Sequence, residues 1–185
     1  MAENGARRIR LGMVGGGTGA FIGYVHRVAA RIDGDYDLVA GALSSRPEVA
    51  QESGRNLGLA EDRIYTSYEE MARAEAARPD GIEAVSIVTP NHMHFGPAKA
   101  FLEAGIHVIC DKPITSTLED ARKLAEIKPA KGARFLLTHN YTGYPLIRQA
   151  RELVESGALG NLRVVQVEYP QDWLTEATGE ENKQA

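Results

Sequence analysis

The chain has one cysteine, Cys110, in 185 residues, so no internal disulfide can form, and a reducing, cytoplasmic setting is expected. No apolar run approaches the roughly 20 residues that a membrane helix needs. The consecutive arginines Arg7 and Arg8 are not followed by the apolar stretch of a signal peptide. Positive charge is not in excess either. Twenty-one basic against 25 acidic residues leave a net charge of −4, which offers no general attraction to nucleic acid or anionic lipid. Any phosphate must therefore be held by local geometry, which points to a small ligand.

What is present alternates in a regular way. Residues 9–14 form a short apolar run that ends in Gly15-Gly16-Gly17-Thr18-Gly19-Ala20. Phe21, Ile22, Val25, Val28, Ala29 and Ile32 then recur at helical spacing until Asp33-Gly34-Asp35 stops them. Further strands are expected at 38–43, briefly at 64–65, and at 84–88, 107–110 and 135–138. Helices are expected at 47–56, 68–77, 92–104, 118–127 and 145–155. Apolar strands alternating with helices predict an α/β fold, a doubly wound parallel (Rossmann) sheet covered on both faces. A last strand-like stretch, 162–169, precedes a polar tail, 176–185. Alone it cannot bury its faces, so it reads as the start of a truncated second α/β domain. The expected division is a Rossmann domain over 1–160 and an incomplete second domain over 161–185.

Gly15, Gly17 and Ala20 satisfy the pattern G-x-G-x-x-[GA] at the first strand-to-helix junction. Gly15 permits the tight exit from the strand, and Gly17 lets backbone approach a pyrophosphate. Ala20 keeps the helix close to the sheet, and free amides around Thr18 and Phe21 would take the phosphates. A steric turn with no ligand is the competing reading. The acidic residue that usually ends the second strand and takes ribose hydroxyls is missing, since 38–43 runs into Ser44-Ser45-Arg46. Ser45 and Arg46 suit a 2′-phosphate, which favours NADP over NAD. The plainer alternative makes Arg46 a solvated residue ahead of a helix.

Thr89-Pro90-Asn91 ends one strand and Asp111-Lys112-Pro113 the next, both at the carboxyl edge where parallel sheets bind ligands. Lys112 is thereby directed to the cleft. His92 and His94, two positions apart, would not face one another on a helix, and no metal site is expected. Cys110 is expected to be a small buried residue.

Together with the glycine turn, the run 85–113 carries Thr89-Pro90-Asn91, His94, Ala104-Gly105-Ile106-His107-Val108 and Asp111-Lys112-Pro113. His139-Asn140-Tyr141 and Gly157-Ala158-Leu159-Gly160 extend the pattern. Over nearly its whole length the chain resembles the Gfo/Idh/MocA family of sugar and cyclitol oxidoreductases. The resemblance implies an NAD(P)-dependent dehydrogenase or reductase acting on a sugar, cyclitol or related polyol. It makes Lys112 the catalytic residue, and it sets Thr89, Asn91, His94, Asp111 and Asn140 along the cofactor cleft. Asn91 can serve equally as a helix N-cap, aromatic packing is the plain reading of Tyr141, and Asp111 has shorter reach than the commoner glutamate. A second α/β domain, with the substrate pocket, a histidine that assists the lysine and much of a homo-oligomer interface, is also implied. The alternatives are a non-catalytic NAD(P)-binding module or inactive fragment serving sensing or protein interaction, and a nicotinamide redox cycle within glycoside cleavage.

Overall fold

In a computed structural model the described residues are 7–170. Strand β1 (Ile9–Gly15) leads through the glycine turn into α1 (Phe21–Ile32), and β2 (Tyr36–Ala42) into α2 (Pro47–Asn56), whose first position is a proline. There follow α3 (Tyr68–Ala77), β3 (Ala84–Val88), α4 (Phe95–Ala104), β4 (His107–Cys110), α5 (Leu118–Glu126), β5 (Phe135–Leu137) and α6 (Pro145–Glu155).

The five strands form one parallel sheet in the order β2-β1-β3-β4-β5, the doubly wound Rossmann arrangement expected. The brief strand expected at 64–65 is reduced to a single parallel bridge, Ile64 with Gly41, on the outer edge of β2. With that bridge counted as a strand, the order is the 3-2-1-4-5-6 of dinucleotide-binding sheets. The connections leave β1 in opposite directions, which makes the carboxyl ends of β1 and β3 the switch point at which sheets of this kind bind ligands.

All five residues of β3 are buried, and Phe101, Ile87, Val85 and Val108 lie at the centre of the core. The helix expected to start at His92 starts at Phe95, because Asn91–Met93 closes a separate 3-10 turn on the Pro90 carbonyl. Gly105, at φ +82°, ends α4 in the left-handed conformation that frees its last carbonyls for Gly105 and Ile106.

Of the apolar stripe of α1, Ile22 packs against the core beside Met13 and Val88, and most of the rest does not face the sheet. Phe21, Val25, Val28 and Ile32 are exposed, and the buried position is Gly23. Nothing among the described residues shows what covers that stripe.

Contacts divide the chain after Thr138 into two units, Met1–Thr138 and His139–Ala185. This division falls ahead of the 160/161 boundary expected from the sequence. In the second unit α6 buries none of its residues. Residues 162–169, expected to form a strand, have no regular secondary structure, and Val164, Val165 and Val167 are exposed. A strand needs a partner for its amides and carbonyls, and no described segment supplies one. The polar tail at 176–185 lies outside the described residues.

Candidate dinucleotide site and the Asp-Lys-Pro turn

Gly15 leaves β1 at φ +79°, and a Cβ there would stand 2.9 Å from the Val88 carbonyl oxygen. At Gly17 a Cβ would meet the Leu43 carbonyl oxygen and the Ser53 hydroxyl, each at 2.8 Å. Its demand for glycine is thus set by the protein's own backbone. The Gly17 amide donates to Leu43 O (3.2 Å), and the Thr18 amide donates to Oγ of Ser53 (2.9 Å), a buried residue of α2. Ser53, which no sequence motif marks, ties the turn to the second helix.

Ala20 is the N-cap of α1 and, like every alanine, has no side-chain acceptor for the first-turn amides. The close approach of helix to turn, expected of Ala20, is made by Gly23. A Cβ on that residue would collide with the backbone of Gly16. Phe21 is exposed at the helix start. At the tip of β2, Ser45 and Arg46 are exposed, and the Arg46 amide donates to Ser44 Oγ at 3.1 Å just ahead of α2.

At the end of β3, Thr89 Oγ1 is buried and has no hydrogen-bond partner among the described residues. Asn91 is exposed in the 3-10 turn. His94 is 1% exposed, with Nδ1 2.6 Å from the Pro113 carbonyl oxygen and Nε2 3.0 Å from that of Thr89. It fastens the end of β3 to the turn after β4.

That turn is Asp111-Lys112-Pro113, with a cis peptide bond before Pro113. The Asp111 amide donates to Ile87 O (2.9 Å), and Oδ1 of Asp111 accepts from Thr138 Oγ1 (2.9 Å). His26 of α1 places Nε2 3.6 Å from the same oxygen and Nδ1 2.8 Å from Ser86 Oγ. Burial pushes the His26 pKa below that of a free histidine, although the Asp111 charge pulls the other way. Lys112 itself is exposed, and no carboxylate among the described residues pairs with it. The Cys110 thiol is buried and is pushed up to about 12, by desolvation first and then by Asp111.

Asn140 belongs to the second unit, where Nδ2 donates to Tyr144 Oη at 3.4 Å. Tyr141 packs edge-on against Tyr144 there, with centroids 5.5 Å apart. Among the described residues no group of three or more His, Cys, Asp or Glu could hold a metal ion. No helix among them is long and apolar enough to cross a membrane.

The first unit therefore brings Gly15, Gly17, Thr89, Asp111 and Lys112 to the carboxyl ends of three adjacent strands. A dinucleotide fits this edge on two observations. The start of α1 has no side-chain cap, and the Thr89 hydroxyl lacks a partner.

Comparison with known proteins agrees with this geometry. The family model described as "Oxidoreductase family, NAD-binding Rossmann fold" (Gfo/Idh/MocA) matches residues 9–153. An uncharacterized oxidoreductase of Bacillus subtilis, YfiI, is 39% identical over 185 residues, covering 97% of this chain and 47% of its own. The crystal structure of an oxidoreductase from Sinorhizobium meliloti is 63% identical, with a TM-score of 0.85 over 92% of this chain and 47% of that one. An inositol dehydrogenase homologue from Azotobacter vinelandii, complexed with NAD+, is 47% identical, with a TM-score of 0.80 over 85% of this chain and 41% of that one. The chain spans about half the length of the curated relatives it matches. With a glycine turn, a Thr-Pro-Asn end and an Asp-Lys-Pro end on three adjacent strands, and a family match over most of its length, the chain belongs to the Gfo/Idh/MocA oxidoreductase family.

Proposed function

We propose that the chain is the nucleotide-binding part of an NAD(P)-dependent oxidoreductase acting on a sugar, cyclitol or related polyol. The observation that carries this reading is the meeting of the glycine turn and the Asp-Lys-Pro turn at one edge of the sheet. The inositol dehydrogenase homologue at 47% identity supports the substrate class. A bound nicotinamide would supply the hydride acceptor or donor. With the Gly17 and Thr18 amides already taken by Leu43 and Ser53, the uncapped first turn of α1 holds the phosphates, and Thr89 offers its free hydroxyl to the ligand. Lys112 hydrogen-bonds the reacting hydroxyl and takes or returns its proton. His94 keeps that lysine in register with β3 through the Pro113 and Thr89 carbonyls.

The preferred cofactor is NADP. Arg46 stands exposed at the tip of β2 beside Ser45, where a guanidinium can clamp a 2′-phosphate with two hydrogen bonds.

Titration of the chain with NADPH and NADH, followed by cofactor fluorescence, tests the binding step. NADPH is expected to bind tighter, and Arg46→Ala to remove the difference; equal NADPH affinity before and after that change would refute the preference. Nicotinamide absorbance in the presence of inositols, pentoses and hexoses tests turnover, with Lys112→Ala as the control. Cofactor binding with no turnover on any polyol would leave the non-catalytic module in place of the enzyme.

A further inference from the structure

Among the described residues, one titratable side chain beside the Asp-Lys-Pro turn has no role in the reading above. His26 projects from the sheet-facing side of α1, and its side chain is 11% exposed. One ring nitrogen meets Ser86 in the middle of β3, at 2.8 Å. The other faces Oδ1 of Asp111 at the end of β4, at 3.6 Å. Ser86 is 2% exposed in a strand that otherwise reads Ala-Val-Ile-Val. A hydroxyl buried there is costly unless it is hydrogen-bonded, so Ser86 and His26 account for each other. Oδ1 of Asp111 is held a second time, by Thr138 at 2.9 Å, and no described residue hydrogen-bonds Oδ2.

We infer that His26 is a positioning residue for the Asp-Lys-Pro turn: oriented by Ser86, it faces Oδ1 of Asp111 in an electrostatic contact of 3.6 Å beside the Thr138 hydrogen bond, so that Oδ2 is presented to a nucleotide ligand and Lys112 is left unpaired. The ligand half of this inference rests on the dinucleotide reading of the edge. The ring works in its neutral form, which its burial favours. Nε2 then carries the proton and points it at the carboxylate, while Nδ1 accepts from the Ser86 hydroxyl. A ring chosen for packing alone would need neither partner.

Two substitutions separate the roles. His26→Gln carries an amide donor about as far as Nε2, whereas His26→Asn reaches only the Ser86 side. Affinity for NADPH is measured for each, alone and combined with Asp111→Asn. Asp111→Asn is expected to weaken binding about tenfold, the effect of one hydrogen bond to a charged group, and His26→Asn to weaken it several-fold, as the longer contact to Asp111 requires. His26→Gln is expected to restore most of that loss. Adding His26→Asn to Asp111→Asn should weaken binding no further, because both act on one contact. Equal losses from Gln and Asn, or losses that add, in variants that stay folded by circular dichroism, would overturn the inference.

A second arm needs no cofactor. The Asp111 charge raises the His26 pKa, so the NMR titration of the His26 ring should move to lower pH in Asp111→Asn. An unmoved titration removes the link between the two side chains. If the unaltered chain bound neither NADH nor NADPH, the dinucleotide reading and the ligand half of the inference would fall together, and the titration would still decide the link.

Discussion

Gly23 of α1 lies so close to Gly16 of the turn after β1 that the space for a Cβ on Gly23 is taken by the Gly16 backbone. The helix can approach the turn only because both residues lack side chains. Gly23→Ala must push α1 away from β1 or shift the turn. Overpacking of this kind costs about 1–3 kcal/mol. The urea midpoint should fall, and NADPH binding should weaken with it as the turn moves. A variant with the midpoint and affinity of the parent would show that the helix has slack the structure does not suggest.

A buried ion pair far from that turn makes a contrasting prediction. Glu75, 1% exposed at the end of α3, accepts from Arg63 Nε (3.1 Å), from the Tyr65 hydroxyl (2.9 Å) and from the Ile82 amide (3.0 Å). Burial, reinforced by Glu75, pushes the Tyr65 hydroxyl up to about 12. Arg63→Ala leaves the carboxylate buried and uncompensated, which costs about 3–5 kcal/mol. Chemical denaturation should show that loss, and NADPH affinity of the folded fraction should stay put. A surface-sized loss, within about 0.5 kcal/mol, would contradict the burial of the pair.

Cys110 should behave as an inert thiol. With its pKa pushed up to about 12 by burial and then by Asp111, almost no thiolate exists near neutrality, and the sulfur is also out of reach of solvent. Iodoacetamide at pH 8 is expected to leave the native chain unmodified and to alkylate Cys110 once urea unfolds it. Rapid labelling of the folded chain would refute this, and mass spectrometry reads the result directly.

The half-buried His26 gives stability a dependence on pH whose sign follows from its shift. Desolvation lowers its pKa in the folded chain more than Asp111 raises it, so the unfolded chain binds the proton more readily. The stabilisation is therefore complete above the unfolded value of about 6.5 and is lost as pH falls through the folded value. Urea midpoints measured from pH 7.5 down to 5 should decline, and His26→Gln should flatten part of that decline. An equal slope in both proteins would mean that other groups govern it.

Much of this architecture was legible in the chain of letters. The apolar run before Gly15 and the alternation of strands with helices announced a parallel sheet. Gly15-Gly16-Gly17 at the first junction and Asp111-Lys112-Pro113 at a later strand end marked its ligand edge, because both features depend on local backbone conformation and on period. The stop of α4 at Gly105 was equally local, since a left-handed cap needs only a glycine.

What failed to read were the long-range choices. The apolar stripe of α1 suggested one buried face, and the structure buries another, because contact with Gly16 is set by the absence of a side chain at Gly23. Ser53 holding Thr18, and His26 reaching Ser86 and Asp111, join residues 35, 60 and 85 positions apart. No spacing rule reports such pairs. Residues 162–169 had the apolar content of a strand but found no partner among the described residues. The sequence by itself determined the fold class, the glycine turn and the position of Lys112 at a strand end, since period and backbone conformation are local properties. Only the tertiary structure decided which face of α1 is inside and which side chains meet Asp111, since those outcomes depend on residues that meet solely when the sheet assembles.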